Sequence, residues 1–351
     1  MNILDQFGVN PDALKDQVSS VKVVPNRLAH IDADFLAYIV AADTVKEVED
    51  GNLRSITHKC GQLAEFADTV ARAAGASSYV LHITPDGSNK GGRANQAVQA
   101  EYQATRGGRE RPAHLPILRA YIEQKMQCIA SRDREADDAM AEAMYTDPVN
   151  NIVCSRDKDL RMVPGWHLDM DTNEHVFVTP GDFGSISIDD SKSAKKVVGY
   201  GPAFFFAQCL MGDSADNIKG LPAMPGPILM KHSPNAAFTK QADKVKGIVA
   251  TGKAVPQIEV DRLNALMGKT KACGPVLTYD VLKDIRSVKD AFAFVKECFN
   301  KLGTFHEYDF VHWKTGAAVT PTQALLGDML CLWMRRNKDP NDVVKWLKEA
   351  S

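Results

Sequence analysis

Short apolar runs alternate with amphipathic stretches in the first half of the chain. The runs at 27–31 (RLAHI), 77–84 (SSYVLHIT) and 151–155 (NIVCS) have the length and composition of buried strands. Between them, residues 58–75 and 134–145 show the apolar spacing of helices. Strands that alternate with helices predict an α/β fold with a mainly parallel central sheet.

Helical patterns dominate the second half of the chain, where the stretches at 288–303 and 321–336 are the clearest. An apolar stretch at 201–211 (GPAFFFAQCLM) is typical of a buried helix. Residues 1–20 are polar, and residues 87–116 are rich in Gly, Arg, Gln and Asn with little periodicity. We expect a loose or helical lead-in from the first of these and a partly helical excursion from the second.

Charge is segregated along the 351 residues, although the net charge is only −2. Between Lys219 and Lys253 there are six lysines and one aspartate, and between Lys90 and Arg111 five basic residues face two glutamates. Basic stretches that flank acidic motifs suit a protein that grips phosphates and also holds cations.

The cysteine pattern and the hydropathy of the chain indicate the cellular compartment that we expect for the protein. The chain has seven cysteines and no CxxC pair, which favours reduced thiols over a zinc ribbon or a disulfide framework. There is no apolar run long enough to span a bilayer and no leader pattern near Met1. We expect a cytoplasmic protein with no membrane partner.

Aspartates follow the predicted strands directly. Asp32 ends the first strand, Asp86 follows the second, and Asp157 and Asp159 follow the third. The carboxyl ends of parallel strands meet at one edge of a sheet, where α/β proteins bind ligands. A single such aspartate is more often a turn or cap residue, but four at three strand ends favour a shared site.

Five further acids extend this set. Glu135, Asp137 and Asp138 stand at a predicted helix start, and Asp213 and Asp216 follow the apolar helix, where the helix dipole disfavours carboxylates. Nine carboxylates on one rim would repel each other unless cations lay between them.

All-oxygen ligands select hard cations, so we expect two or more Mg²⁺ ions, with Mn²⁺ as a substitute. Two such ions can activate a water molecule and stabilise both the attacking and the leaving oxygen of a phosphodiester.

The order of these motifs resembles the 5′ nuclease superfamily, which includes flap endonucleases and the nuclease domain of bacterial DNA polymerase I. It is most similar to the standalone 5′–3′ exonucleases of tailed bacteriophages. The matching pieces are HIDADFLAY, ITPD, EADD, SRDKDL and GDSADNIKGLP.

The resemblance implies an α/β fold whose sheet is flanked by helices, with a helical arch and a helix–hairpin–helix DNA-binding element. The metal-dependent core would span 21–217, with the arch at about 87–134. The hairpin element would span 200–260, and residues 261–351 would form a mostly helical region without an assigned role.

The chain departs from the family in the arch. The family pattern Tyr-Lys-x-Asn-Arg reads YQATR here, so Tyr102 and Arg106 match while Gln103 replaces the lysine. The resemblance then leaves Arg106, helped by Lys90 and Arg93, to hold the scissile phosphate, with Tyr102 as a DNA contact.

The hairpin also departs, since GLPAMPGPI keeps only Gly220 and Gly226 of the expected glycines. Pro225 has no N–H to donate to a phosphate. We expect weaker or altered binding of duplex DNA by the hairpin. The positive charges of Lys231, Lys244 and Lys246 would partly offset this loss.

The implied activity is Mg²⁺-dependent 5′–3′ exonuclease or structure-specific 5′ nuclease action on DNA, with water as the nucleophile. The expected substrates are DNA duplexes with a 5′ end, nick, gap or flap. An RNA–DNA hybrid is a further candidate substrate. This interpretation implies a monomer that acts with replication proteins in the host cytoplasm. Its role would be in phage DNA replication, recombination or primer removal. The alternatives are a catalytically weak structure-specific DNA-binding protein and a PIN-type ribonuclease.

Overall fold

The computed structural model describes residues 21–43, 48, 51, 53–106, 111–191, 193–232 and 236–350. The side chains of Arg106 and of residues 236–239 are outside this description, as is the predicted lead-in at 1–20. The chain divides into two compact units. The first comprises Met1–Gly92, Gly108–Asp182 and Met334–Asp342, and the second comprises Arg93–Gly107, Phe183–Trp333 and Val343–Ser351.

A six-stranded sheet forms the centre of the first unit. Its strands are β1 (Leu28–Asp32), β2 (Ser78–Ile83), β3 (Cys128–Ala130), β4 (Asn151–Cys154), β5 (Gly165–Leu168) and β6 (His175–Val178). They lie in the order β3-β2-β1-β4-β5-β6, and every neighbouring pair is parallel except β5 with β6. The predicted α/β fold with a mainly parallel sheet is confirmed.

Helices cover both faces of this sheet. They are α1 (Ala33–Ala41), α2 (Ile56–Ala73), α3 (Leu115–Lys125) and α4 (Ala136–Thr146). Leu36, Leu63 and Leu118 of the first three helices share one apolar core with Ile31 and Leu81 of the sheet. The strand order reverses after β3, because β4 joins the sheet on the other side of β1. If the crossovers are right-handed, as they are for parallel strands generally, α4 lies on the opposite face.

This reversal makes β1 and β4 neighbours, and their register sets Ile31 opposite Cys154. The two strands therefore end side by side at the point where the sheet changes direction. In α/β folds the crevice outside the carboxyl ends of such a pair is the usual ligand site.

The second unit contains two antiparallel ribbons and most of the helices. Ribbon strands β7 (Ser185–Asp189) and β8 (Lys196–Tyr200) pair with each other, as do β9 (Met224–Pro225) and β10 (Thr270–Lys271). The helices are α5 (Pro202–Met211), α6 (Gly226–His232), α7 (Ala236–Ala250), α8 (Gln257–Met267), α9 (Pro275–Leu282), α10 (Val288–Phe305) and α11 (Pro321–Leu332), followed by α12 (Asp342–Glu349). Short helical pieces occur at Arg93–Gln96 and Ala104–Arg106.

Aromatic packing ends α11 earlier than its apolar pattern predicts. The expected helix ran to residue 336, but Trp333 has extended backbone angles and is buried. Its ring stacks on Trp346 with 4.3 Å between centroids and meets Phe205 edge-on. The apolar run therefore extends past the end of the helix, and Trp333, its last aromatic residue, packs in the core with an extended backbone.

The seven cysteines are free, and Cys154, Cys209, Cys298 and Cys331 are buried. Burial raises the pKa of the Cys154 and Cys209 thiols, which disfavours their reactive thiolate forms. None of the helices in the described part of the chain combines the length and apolarity of a membrane span.

Two histidines pair inside the first unit, on the face of the sheet that α4 covers. Nδ1 of His30 on β1 lies 2.8 Å from Nε2 of His82 on β2, and both residues are buried. Burial, followed by the His30 and Arg134 side chains, lowers the pKa of His82 to about 3. Burial also lowers the pKa of His30. Both rings are therefore neutral at pH 7.

The pair predicts an acid-sensitive fold. Because the folded pKa of His82 lies below the unfolded value of about 6.5, its contribution to stability is complete above pH 6.5 and is lost as the pH falls towards 3. Each such histidine lowers the free energy of unfolding by at most about 1.4 kcal/mol per pH unit in this window. Urea unfolding at pH 7.5, 6.5 and 5.5 measures the loss.

The double variant His30→Leu/His82→Leu should lose less stability between pH 7.5 and 5.5 than the wild type. His58→Leu, at an exposed position, is the matched control and should keep the wild-type slope. Equal slopes in all three proteins would show that the buried pair is not the source.

Candidate active site

Asp32 stands at the junction of β1 and α1 and caps the helix. Its Oδ1 accepts the N–H of Phe35 at 3.1 Å, which satisfies a donor of the first helical turn. Its Oδ2 accepts the hydroxyl of Ser155 at 2.9 Å, and Ser155 directly follows β4. The hydroxyl of Ser155 thus ties together the ends of the two central strands.

The segment after β4 brings two more predicted acids to this edge. Asp157 caps a short helical turn at Lys158–Met162, and its Oδ1 accepts the N–H of Asp159 at 2.8 Å. The N–H of Asp157 donates to the Ser155 Oγ at 3.0 Å. Asp159 is buried, with the ammonium of Lys158 3.1 Å from its Oδ1. Ser155 therefore orients Asp32 and Asp157 together.

The start of α4 brings Glu135 and Asp137 to the same region. Glu135 is the cap residue and is buried, and Asp137 lies in the first turn. The N–H of Ala136 donates to the Thr84 hydroxyl at 2.9 Å, which fastens the helix start to the end of β2. The positive end of the helix dipole favours acids here.

The electrostatics show that these carboxyl groups lie close to one another. Burial strongly raises the pKa of Asp137, and the charges of Asp157, Asp32, Glu135 and Asp34 add to the rise in that order. Burial, followed by the charge of Asp34, raises the pKa of Asp32 to about 6. Carboxyl groups whose pKa is raised in this way are costly to ionise without a nearby cation.

Arg119 of α3 is a cation at this edge that the sequence did not reveal. Its guanidinium binds the carboxylate of Asp34 and the carbonyl of Thr84, and Nη2 lies 4.0 Å from Asp86. Asp34 also accepts the N–H of Thr84 at 2.9 Å. Asp86 is a predicted ligand, but its side chain is 84% exposed and stands outside the buried cluster.

Asp138 points to a different place from its neighbour Asp137. It is fully buried, and its Oδ1 accepts the N–H of Arg335 at 3.1 Å. Arg335 belongs to the segment Met334–Asp342 of the same unit. At least one oxygen of Asp138 is therefore engaged in holding this late segment against α4.

The chemistry of the donor set fits a hydrated divalent cation. Across the described ranges, no group of three or more His, Cys, Asp or Glu side chains is arranged to hold one ion. Asp32, Asp137 and Asp157 nevertheless supply hard oxygen donors and mutual repulsion that a cation would relieve. Mg²⁺ keeps several waters and uses few carboxylates, so its site does not require a closed cage of side chains.

Asp213 and Asp216 belong to the second unit, whereas the other seven predicted ligands belong to the first. Both aspartates are buried in the loop after α5. Gly212 opens this loop with a φ of 71°, and a Cβ there would clash with the Ile218 carbonyl. The N–H and carbonyl of Asp213 pair with Ile218 at 2.8 Å each, and Oδ1 of Asp213 accepts the N–H of Ala215 at 2.9 Å. Asp213 thus also shapes its own turn.

Asp216 contacts the segment that sequence analysis assigned to the arch. The hydroxyl of Tyr102 donates to its Oδ2 at 3.2 Å, and the N–H of Gln103 donates to its carbonyl at 2.9 Å. Tyr102, a predicted DNA contact, is buried. Its hydroxyl therefore supports the Asp216 loop within the second unit.

The three basic residues predicted to hold the scissile phosphate differ in placement. Arg93 is fully buried and donates to the carbonyl of Trp333 at 2.9 Å. Lys90 is half-buried, and its N–H donates to the hydroxyl of Ser88 at 3.2 Å. Arg106 ends a helical turn, and its side chain lies outside the described residues.

The two glycines of the predicted hairpin donate their N–H groups within the protein. Gly220 donates to Oδ2 of Asp328 at 2.9 Å, and Gly226 donates to Nε2 of His306 at 3.1 Å. Sequence reasoning had no signal for these acceptors because both lie far along the chain. Each N–H therefore already has a partner other than phosphate.

The three predicted DNA-binding lysines lie on α6 and α7. Lys231 is exposed, and Lys246 is 79% exposed with Asp243 at 3.8 Å. Lys244 donates to Glu259 at 2.8 Å. Lys231 and Lys246 are therefore the better placed of the three to meet a phosphate.

The fold and the first unit's acidic cluster define an α/β protein with buried carboxyl groups at the switch point of a parallel sheet. No protein-family model matches the chain, and no curated protein matches its sequence. In structure it is similar to a flap endonuclease of bacteriophage T5 in a pseudo-enzyme–product complex with DNA and metal ions. That similarity has 12% identity and a TM-score of 0.39 over 87% of this chain and 98% of that chain.

Two further solved structures are similar at the same distant level. The T5 5′-exonuclease with bound divalent zinc shares 14% identity and a TM-score of 0.38 over 80% of this chain and 95% of that chain. The catalytic core of Rad2 in complex with DNA substrate shares 15% identity and a TM-score of 0.31 over 84% of this chain and 95% of that chain. The function has to be inferred from the residues of this chain.

Burial of Asp137, together with repulsion from its acidic neighbours, predicts that Asp137→Asn stabilises the metal-free protein. Because the folded pKa of Asp137 is raised, ionising it as the pH increases above its unfolded value of about 3.9 reduces stability. In excess chelator the variant should therefore have a higher Tm than the wild type at pH 8, with a smaller difference at pH 5. Asp86→Asn, at an exposed carboxylate, should change stability by about 0.5 kcal/mol or less.

Added Mg²⁺ should raise the Tm of the wild type more than that of Asp137→Asn, because a bound ion relieves the same repulsion. A variant that is less stable than the wild type at both pH values would assign Asp137 a structural role instead.

Proposed function

We propose that this protein is a divalent-metal-dependent 5′ nuclease that hydrolyses phosphodiester bonds of DNA at or near a 5′ end. The observation that carries the proposal is geometric: the Ser155 hydroxyl joins Asp32 and the N–H of Asp157 at the ends of β1 and β4. Burial there, followed by neighbouring carboxylates, raises the pKa of Asp32 and of Asp137. Such a cluster is costly without cations and useful with them. The motif order that resembles the 5′ nuclease superfamily supports the substrate and the direction.

Asp32, Asp137 and Asp157 would hold two or more Mg²⁺ ions, with Mn²⁺ as a substitute. When bound, the ions would supply an activated water and neutralise the charge that develops on the phosphate. Ser155 orients Asp32 and Asp157 through its hydroxyl. Glu135, Asp138, Asp159 and Asp86 are further proposed metal ligands of the first unit. Asp213 and Asp216 are proposed metal ligands of the second unit.

The proposed substrate is duplex DNA with a 5′ end, nick, gap or flap, bound by a monomer. Arg106 is the proposed phosphate-holding cation, and Lys231 and Lys246 supply exposed positive charge for the duplex. Phosphate contacts of this kind position DNA without reading its sequence. The proposed role is phage DNA replication, recombination or primer removal in the host cytoplasm.

Cleavage of DNA labelled at one end or the other tests the proposal. Intact, nicked, gapped and 5′-flap duplexes should release the 5′ label as short fragments with Mg²⁺, and excess chelator should stop the reaction. Loss of the 3′ label first, or full activity in chelator, would overturn the proposal.

Ligand and positioning residues should differ in kinetics. Asp157→Ala should lose most turnover while the protein stays folded. Ser155→Ala should raise the Mg²⁺ concentration for half-maximal activity by about 10- to 100-fold, since partners that orient ligands typically have effects of this size. The matched control is Ser78→Ala. Ser78 is an exposed serine at the amino end of β2, away from the carboxyl ends of the strands where the site lies. A Ser155 variant with the wild-type Mg²⁺ requirement would contradict the assigned role.

Exposed lysines should govern the salt dependence of DNA binding. Each lost phosphate contact should reduce the slope of log K against log salt by about 0.9, so Lys231→Gln/Lys246→Gln should flatten it measurably. Lys244→Gln should have a smaller effect because Lys244 is held by Glu259. Fluorescence anisotropy with a 5′-flap duplex in Ca²⁺ gives the slopes, and Lys314→Gln, at an exposed site outside α6 and α7, is the control. Unchanged slopes in the double variant would remove these lysines from the DNA surface.

A further inference from the structure

A buried carboxylate on α11 holds the far end of the Asp213 loop. Oδ2 of Asp328 accepts the N–H of Gly220 at 2.9 Å and the side-chain amide of Gln99 at 2.6 Å. The same amide nitrogen of Gln99 lies 3.0 Å from the Gly220 carbonyl. Asp328, Gln99 and Gly220 therefore form a closed set of hydrogen bonds, which we call the Asp328 clamp.

The clamp sits where the loop closes. The N–H of Leu221 donates to the carbonyl of Leu210 at 3.0 Å, so the two ends of the loop lie side by side. A Cβ at Gly220 would clash with the backbone nitrogen of Gly212, so the backbones of the two loop ends are in close contact. Fixing Gly220 therefore fixes the closed end of the loop that carries Asp213 and Asp216.

Gln99 connects the clamp to the other side of the loop. Three residues further on, Tyr102 donates to Asp216, and Gln103 donates to the Asp216 carbonyl. The amide of Asn217 also donates to the carbonyl of Glu101 at 2.8 Å. The segment from Gln99 to Gln103 thus runs along the loop and transmits the position of Asp328 to Asp216.

Asp328 is only 4% exposed, and burial raises the pKa of its carboxyl to about 8. A buried acid is costly, and one oxygen does the accepting for both hydrogen bonds. An uncharged side chain with one acceptor oxygen would therefore serve the clamp equally well. A substitution that keeps the acceptor oxygen but removes the charge therefore distinguishes the role of the hydrogen bonds from that of the charge.

We propose that Asp328 is a positioning residue for the two carboxylates of the 212–220 loop, acting through Gly220 and Gln99. The inference rests on the proposed metal-binding role of Asp213 and Asp216. It gives a function to part of the region at 261–351, to which sequence analysis assigned none.

Three variants test the clamp. Asp328→Asn keeps an acceptor oxygen, Asp328→Leu removes it, and Gln99→Leu removes the second donor. Hydrogen exchange of the Ile218 and Gly220 amides in the metal-free protein reports the loop directly. We expect at least tenfold faster exchange in Asp328→Leu and exchange near the wild-type rate in Asp328→Asn. If Asp328→Leu fails to fold, Gln99→Leu provides the comparison and should also accelerate exchange.

The metal requirement is the second readout. The Leu variants should need about 10- to 100-fold more Mg²⁺ for half-maximal cleavage, whereas Asp328→Asn should need the wild-type concentration. Cys331→Ala, on the same helix with Sγ 3.7 Å from the Arg93 carbonyl, controls for general loosening of α11.

The outcomes separate the two proposals. If Asp328→Leu lowers global stability as Cys331→Ala does, with unchanged amide exchange and Mg²⁺ requirement, Asp328 is only a core residue and the inference is overturned. If the wild type shows no metal-dependent cleavage, the nuclease proposal fails, while faster exchange in the Leu variants still supports the clamp.

Discussion

Repulsion between carboxyl groups at the ends of β1 and β4 is the constraint on which the proposed site depends. The parallel register puts Asp32 and the segment from Ser155 to Asp157 at one edge, and α4 adds Asp137 to it. The hydrogen bonds that Asp32 accepts do not offset its burial and this repulsion, since its pKa stays raised to about 6. Burial and the same neighbours also raise the pKa of Asp137. The fold therefore maintains an unfavourable arrangement at the place where a cation would make it favourable.

Much of the first unit could be predicted because its signals are local. Apolar runs bounded by acids and turn residues marked β1, β2 and β4 to within a residue or two. Parallel strands necessarily end at one edge, so the approach of Asp32 and Asp157 followed from the strand assignment alone. Glu135 and Asp137 at the start of α4 join them, and the helix dipole favours negative charge at that end. Asp138 instead meets Arg335.

The contacts that sequence analysis missed link residues far apart in the chain. Arg119 meets Asp34 across 85 positions, and Asp328 meets Gly220 across 108. Neither pair leaves a periodic signal, since each partner occupies an ordinary position on its own helix or loop. The burial of Arg93 could not be predicted for the same reason. A basic residue among glycines is typical of an exposed loop, and its partner, the Trp333 carbonyl, is 240 positions away.

The route of the chain through the two units bears on how the protein is made. Residues 93–107 leave the first unit, and residues 334–342 return to it after the second unit has been traversed. On a ribosome, the N–H that Asp138 binds would emerge almost 200 residues after Asp138 itself. The hydrogen bond from Arg335 to Asp138 would thus be missing while the residues between them are synthesised. Neither unit can be excised as one continuous fragment, so truncation is a poor way to separate their roles.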